Sequence, residues 1–446
     1  MPITTLQRFL PFSANAEQTN ALLMLANFVD FQNQQDFFIL RGSAGTGKTS
    51  LVKAVVDYLA DATVPCYLAA PTGRAAKIIG QKTKHLALTI HHTIYKPEAL
   101  ENGGVKMARK VNMIHTPSIY IIDEASMISD TVFTNEHFFV PNSLLADLLN
   151  FIKQGNQRNK VIFIGDVYQL PPVKSLDSPA LNGHYIQQKY GYKGECFELT
   201  TVMRQGEDSY ILKNATAIRE SIRLGKDFAG LTCPKVNFFN QSLLYYLQHF
   251  DAQRPENVGM IAFANRDVNY FNNAIRQRLG KNSSTLAQGD LVSVQNNWLG
   301  NSKFIVKGEY GVIKNIDPTP EIVADLHFTT AEIAFTDNLG EKFNVSTKIL
   351  LDTITSENGT LTNEQEKMLT AHAMKHNPTF RESKKPYDDK YVGAMRLRYG
   401  YASTCHKAQG GEWDRIILHP YYNRSDNRWL YTAVTRAKQE LVTWAA

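Results

Sequence analysis

Short apolar runs separated by amphipathic stretches dominate the early part of this chain. Phe37-Phe38-Ile39-Leu40, Cys66–Ala69, Ile119–Ile122 and Val161–Ile164 are runs of the length and texture of buried strands. Between them the apolar spacing becomes helical, as in Ser50 to Ala60. Strands alternating with helices predict an α/β fold with a parallel sheet. Each run ends in a polar or glycine-bearing turn, where such sheets place their chemistry. A second α/β set is expected from Phe197, continuing through Met260–Phe263 and resuming at Ile416–His419 and Leu441–Trp444.

The texture differs between those late pieces. Asp290–Val294, Gly311–Asn315, Ala331–Thr336 and Lys342–Leu350 alternate polar and apolar residues with period two. That pattern predicts a small antiparallel barrel inserted into the second α/β set. Asn358 to Lys390 reads as helix followed by a charged, proline-containing loop. Tyr95–Pro117 is a second inserted piece, with Asn102-Gly103 as its hairpin turn. No repeat of solenoid length is present.

At 446 residues the chain is too long for one ordinary core. Its 43% hydrophobic and 20% charged content is that of a globular protein, and no apolar run approaches a membrane span of ~20 residues. Met1 to Asn20 has no basic-then-apolar leader pattern. Cys66, Cys196, Cys233 and Cys405 are widely spaced, as expected of reduced thiols rather than zinc ligands or disulfides. A cytoplasmic protein without membrane contact is expected. The net charge of +6 is compatible with nucleic acid without requiring it.

Gly42-Ser43-Ala44-Gly45-Thr46-Gly47-Lys48-Thr49 fits the loop that wraps nucleotide phosphates with backbone N–H groups. It lies between a strand and a helix, the context the motif needs. Gly42, Ala44, Gly45, Thr46 and Gly47 would line the phosphates. Lys48 would reach the β- and γ-phosphates, and the Thr49 hydroxyl would bind Mg²⁺. The alternative is a glycine-rich turn before an ordinary helix. Asp123-Glu124 ends an apolar strand: Asp123 is the second Mg²⁺ residue and Glu124 the group that polarises the attacking water. Gln169, in Gly165-Asp166-Val167-Tyr168-Gln169-Leu170-Pro171-Pro172, is placed to sense the γ-phosphate. A polar loop stiffened by two prolines is the plainer reading.

With these motifs in order, the chain resembles superfamily-one DNA helicases of the RecD-like, Dda-like branch. The resemblance spans most of the sequence. Pro71, Thr72 and Gly73, in Leu68–Lys77, resemble the family's first DNA-contacting motif, and Thr89 with His91 its next. Leu199–Arg204 resembles the motif supplying one arginine finger, Arg204, and Leu430–Ala437 the motif supplying another, Arg436. Tyr401–Gly410 resembles a late coupling motif, with Ser403, Thr404 and His406 on DNA and Gln409 and Gly410 on nucleotide. Gln18 stands where the family reads adenine.

The resemblance implies two RecA-like domains: residues 1–194, with a hairpin insert at about 95–117, and 195–284 with 396–446. Residues 285–395 would form an SH3-like barrel and helical insert. Fingers across an ATP cleft would neutralise the transferring phosphoryl group. It further implies an ATP- and Mg²⁺-dependent monomer that moves 5′ to 3′ on single-stranded DNA, unwinds tailed duplex and meets replication or repair proteins. It would be nucleoid-associated, or in the host cytoplasm if phage-encoded. Small neutral donors contacting phosphates would suit a motor that must pass over any sequence. An RNA helicase and a nucleotide-gated DNA clamp remain as alternatives, as does a small-molecule kinase built on the same loop. The kinase would need neither a second sheet nor Thr404–Gly410.

Overall fold

The computed structural model describes residues 6–99, 105–132, 138–139, 142–203, 209–236, 239–281, 285–300, 303–337, 340–420 and 426–444. The chain divides into two compact units, 1–98 with 105–212, and 99–104 with 213–446.

The first unit contains β1 (Phe37–Gly42), β2 (Cys66–Ala70), β3 (Ala87–Thr89), β4 (Tyr95–Ala99), β5 (Val105–Arg109), β6 (Ile119–Ile122), β7 (Phe138–Phe139), β8 (Lys160–Gly165) and β9 (Gly194–Leu199). Six of these form one parallel sheet in the order β3-β2-β6-β8-β1-β9. Alternate residues of β1 face opposite ways, and both sets are buried. Phe38 and Leu40 pack with Leu22, Leu25 and Phe28 of the helix Ala16–Val29 and Leu51, Val55 and Leu59 of the helix Lys48–Asp61. Phe37 and Ile39 pack on the other face with Leu145, Leu148 and Ile152 of the helix Leu144–Gly155. Helices cover both faces, which is why the strands read as continuous apolar runs.

β9 differs from expectation. It pairs with β1, Phe197 opposite Leu40, so it closes the first sheet instead of opening a second. The expected boundary at 194/195 cuts through this strand, and the compact units part at 212/213. A short, half-exposed strand shows in sequence that it is a strand but not which sheet takes it. β4 and β5 do form at the expected insert, joined by β7, a two-residue strand with no sequence signal, in the order β4-β5-β7. The turn at Asn102-Gly103 lies outside the described residues.

The second unit contains β10 (Lys235–Val236), β11 (Val258–Ala262), β12 (Leu291–Val294), β13 (Trp298–Gly300), β14 (Lys303–Ile305), β15 (Tyr310–Ile316), β16 (Glu321–Val323), β17 (Leu326–Thr336), β18 (Lys342–Leu350), β19 (Met395–Tyr399), β20 (Ala402–Thr404), β21 (Trp413–Leu418) and β22 (Ala437–Trp444). A parallel sheet, β10-β22-β21-β11-β20, is interrupted by a barrel. In the barrel β15, β12, β19, β18 and β17 pair in turn, and β17 pairs back to β15. Closure removes the exposed strand edges that a small open sheet would present. β19 belongs to this ring, so the insert ends at Gly400, not at residue 395. A Cβ at Gly400 would come within 2.9 Å of the Tyr310 ring, which explains the glycine where the chain leaves the barrel. The helices Asn363–His376 and Pro378–Ser383 fill the stretch before β19. Among the described residues no helix is long and apolar enough to cross a membrane.

Barrel and sheet share one core, in which Met260 and Ile275 join Leu291, Val294, Ile333 and Leu397. A buried ion pair ties them further. Arg276, on the helix Asn265–Arg278, and Asp290, just before β12, are both 0% exposed, with Nη2 to Oδ2 at 2.9 Å and Nε to Oδ1 at 3.0 Å. The Tyr401 hydroxyl also donates to Asp290 at 2.8 Å, and Lys281 reaches it at 3.1 Å. Arg276→Ala would leave that carboxylate buried with less compensation, at a cost of about 3–5 kcal/mol, towards the low end because Lys281 remains. Urea unfolding checks this, and the Arg276→Ala/Asp290→Ala double variant should recover part of the loss.

Candidate functional site

Every loop leaving the carboxyl edge of the first sheet carries an expected site residue. β1, β8 and β6 are neighbours, with Arg41 opposite Gly165 and Phe163 opposite Ile122. The phosphate loop, Asp166 with Gln169, and Asp123-Glu124 therefore emerge side by side. β2 and β3 continue the edge, Ala70 opposite Thr89, bringing Pro71-Thr72-Gly73 beside Thr89-Ile90-His91.

The phosphate loop has the glycine geometry its sequence demanded. Gly45 and Gly47 have φ of 84° and 93°, which L side chains avoid. A Cβ at Gly47 would lie 2.6 Å from Gln18 Nε2, and one at Gly42 would lie 2.8 Å from Leu199 O. Thr46 is buried, its hydroxyl donating to Ser43 O at 2.9 Å. Lys48 Nζ donates to Gly42 O at 2.5 Å and Ser43 O at 2.9 Å, so the amine lies over the loop. Ala44 and Thr49 are half-buried beside it. Gln18 is 1% exposed and its amide is engaged at both ends: Nε2 donates to Thr46 O at 3.2 Å, and Oε1 accepts the Asn15 N–H in a capping box. It braces the loop as well as standing where an adenine reader is expected.

Asp123 accepts the Glu124 N–H at 2.9 Å, and Glu124 takes a left-handed backbone, φ 49° and ψ 39°, to start the turn Ala125–Met127. For a non-glycine residue that conformation costs roughly 1–2 kcal/mol. Gln169 is 4% exposed, and its Oε1 has no hydrogen-bond partner among the described residues. A buried unpaired carbonyl costs about 1–3 kcal/mol. Strain and an unmet acceptor on the same edge mark it as built for something other than stability.

Thr72 and Thr89 cap the helices that follow them, accepting the Ala75 and His92 N–H groups at 3.2 and 3.1 Å. Each keeps its O–H as a donor. His91 packs on Tyr95, ring centroids 5.7 Å apart, and burial lowers its pKa, so it is neutral at physiological pH.

In the second unit, Ser403 and Thr404 end β20, beside Ile261 and Ala262 of β11. The chain turns through Cys405–Ala408, where burial lowers the His406 pKa, to buried Gln409 and to Gly410 at φ 72°. Arg436 is 3% exposed. Nε donates to Thr432 O at 3.0 Å, Nη1 to Gly411 O at 3.1 Å and Nη2 to Thr435 Oγ1 at 3.2 Å. One of these bonds ties the guanidinium to the Gln409-Gly410-Gly411 turn and two tie it to the end of the helix just before it, an anchoring the sequence did not suggest. Arg204 lies outside the described residues.

Two family models match this architecture, an AAA domain over residues 13–225 and a UvrD-like helicase C-terminal domain over 399–443. The Dda ATP-dependent DNA helicase of Enterobacteria phage T4 is 24% identical over 437 residues, 90% of this chain and 93% of the phage protein. RecD2 DNA helicase of Deinococcus radiodurans is 32% identical over 136 residues, 30% of this chain and 16% of RecD2, so the chain spans only a fraction of that relative. The Bacteroides Pif1 helicase crystallised with ADP-AlF3 and single-stranded DNA shares the fold, with a TM-score of 0.53 at 17% identity over 97% of this chain and 92% of that one. In sequence the chain is thus similar to RecD- and Dda-like superfamily-one helicases, and in fold to Pif1.

Two side chains that were not among the expected site residues owe their setting to tertiary contacts. Lys407 is exposed yet enough protein surrounds it that burial, then Arg398 and Lys307, pushes its amine down to about 8. Asp147, buried on the helix Leu144–Gly155, accepts the Tyr95 hydroxyl at 2.8 Å and pairs with Arg109 at 3.4 Å, fixing both strands of the hairpin insert. Asp147 has no local signal, and Lys407 lies within Tyr401–Gly410, where only the fold shows what surrounds it. For the loop itself, Gly47→Ala meets both a forbidden φ and the Gln18 amide. It should weaken nucleotide binding at least about tenfold with little loss of melting temperature, read by titration with a fluorescent ATP analogue.

Proposed function

We propose that the chain is an ATP-dependent DNA helicase that translocates 5′ to 3′ along single-stranded DNA and unwinds duplex bearing a single-stranded tail. The observation that carries this is the carboxyl edge of the first sheet. Phosphate loop, carboxylate pair, buried glutamine and the capping hydroxyls of Thr72 and Thr89 emerge there from neighbouring strands. Nucleotide chemistry and a strand contact then share one rigid element, so a change at one is felt at the other. The T4 and Bacteroides relatives support the DNA assignment by what their names state; the polarity rests on resemblance to the RecD-like branch.

ATP, when bound, supplies the phosphoryl bond whose cleavage drives the cycle. The glycine cradle fits such a group, and the unpaired Gln169 carbonyl is an acceptor suited to a water beside it. Backbone N–H groups of Gly42 to Gly47 and the Lys48 amine would hold phosphates, Gln18 would face the base, and Thr49 and Asp123 would hold Mg²⁺. Glu124 would orient and deprotonate water, and Gln169 would report the γ-phosphate position. Arg204 and Arg436 are the proposed fingers, with Gln409 and Gly410 adjoining the nucleotide. Pro71, Thr72, Gly73, Thr89 and His91 in one unit, and Ser403, Thr404 and His406 in the other, would grip the DNA backbone. The motor is proposed to act as a monomer, with replication or repair proteins recruiting it.

Steady-state ATP hydrolysis with and without single-stranded DNA, alongside matched RNA, tests the reading. DNA should stimulate strongly, and stimulation by RNA instead would reassign the substrate. Lys48→Ala should abolish hydrolysis while single-strand binding persists. Glu124→Gln should retain ATP and lose about 10²- to 10⁴-fold in turnover. Lys407 offers a pH signature. If its ammonium meets a phosphate, affinity for single-stranded DNA falls as pH rises through about 8, and Lys407→Met flattens that profile.

A further inference from the structure

Glu17 carries no role in the motifs above, yet it makes a long-range contact with the segment that follows β9. Its Oε2 accepts the Thr200 N–H at 3.0 Å and the Thr201 N–H at 2.9 Å, and its Oε1 accepts the Thr200 hydroxyl. Burial acts to raise its pKa, but the bonds from Thr200 and Thr201 outweigh it and hold the carboxyl below its usual value. Bonds to an ionised acceptor are roughly twice as strong as neutral ones. Further along, the Met203 N–H donates to Gly45 O at 2.8 Å, and Asn15 Nδ2 donates to Met203 Sδ at 3.4 Å.

Residues 200–203 are neither helix nor strand, so their path depends on these contacts. Glu17 holds one end, and a phosphate-loop carbonyl receives the other. The carboxylate is also covalently next to Gln18, whose amide supports the same loop at Thr46 O. The chain then runs directly into Arg204.

We propose that Glu17 is a positioning residue for ATP hydrolysis, fixing the 200–203 segment against Gly45 so that the phosphate loop holds its reacting geometry. It acts through Thr200, Thr201 and Met203 and contacts no reacting atom. This rests on the ATPase reading given above. Binding contacts from Lys48, Thr49 and the loop amides do not require the segment, whereas phosphoryl transfer is sensitive to displacements of about an ångström. Loss of Glu17 therefore lowers kcat more than it raises KM.

The test is DNA-stimulated ATP hydrolysis by the full chain, with thermal melting measured in parallel. Glu17→Ala should lower kcat about tenfold and change the KM for ATP by less than about twofold. Glu17→Gln, whose amide oxygen still accepts the backbone N–H groups, should restore much of the rate. A kcat for Glu17→Ala within twofold of the parent overturns the inference, as does a raised KM at unchanged kcat. Should Glu17→Ala fail to fold, Thr200→Val carries the test: a severalfold fall in kcat at unchanged melting temperature supports it, and an unchanged kcat refutes it. An inactive parent protein would overturn the ATPase reading and this inference with it.

Discussion

Everything at the site depends on β1 being hydrogen-bonded on both sides by parallel strands. Parallel pairing fixes direction, so the loops after β1, β6 and β8 all emerge at one edge. Had β8 run antiparallel to β1, Gln169 would lie a full strand length away, and the carboxylates after β6 depend in the same way on its parallel pairing with β8. The continuous apolar run of β1, packed by helices on both faces, makes that pairing the stable one. Strand rigidity then transfers to the loops, which carry little packing of their own.

On that rigid edge the protein tolerates local costs. A non-glycine residue in a left-handed conformation at Glu124 and an unpaired buried carbonyl at Gln169 are both unfavourable in isolation, whereas Gly45 and Gly47 take their positive φ without steric penalty. Each of the two costs amounts to about 1–3 kcal/mol at most, small beside the two-faced core beneath them. Their clustering within a few residues of strand ends separates this edge from the rest of the sheet.

The second unit solves a different problem, attaching an inserted barrel without a loose joint. A shared apolar core supplies the bulk of the attachment. The Arg276–Asp290–Tyr401 contacts add direction, because buried charges accept only a narrow geometry. Tyr401 stands immediately before Ala402–Thr404, so the barrel root and the strand carrying Ser403 and Thr404 are held by one carboxylate. Arg436 is held likewise, its guanidinium spent partly on the Gly411 carbonyl.

The sequence by itself determined what depends on neighbours along the chain. Apolar periodicity gave β1, β2, β6 and β8 of the first sheet, β11, β21 and β22 of the second and four strands of the barrel, and the glycine spacing of Gly42–Thr49 gave the phosphate loop, because backbone conformation and burial period are local properties. Motif order carried the resemblance to the helicases. Tertiary structure alone decided partnership. It put β9 beside β1 and β19 inside the barrel, since a strand's own residues state that it pairs but not with whom. It brought Glu17 to Thr200 and Thr201, and Asp147 to Tyr95 and Arg109. It also turned Arg436 onto Gly411. Contacts of this kind join residues far apart in sequence, and their geometry exists only once the sheets have formed.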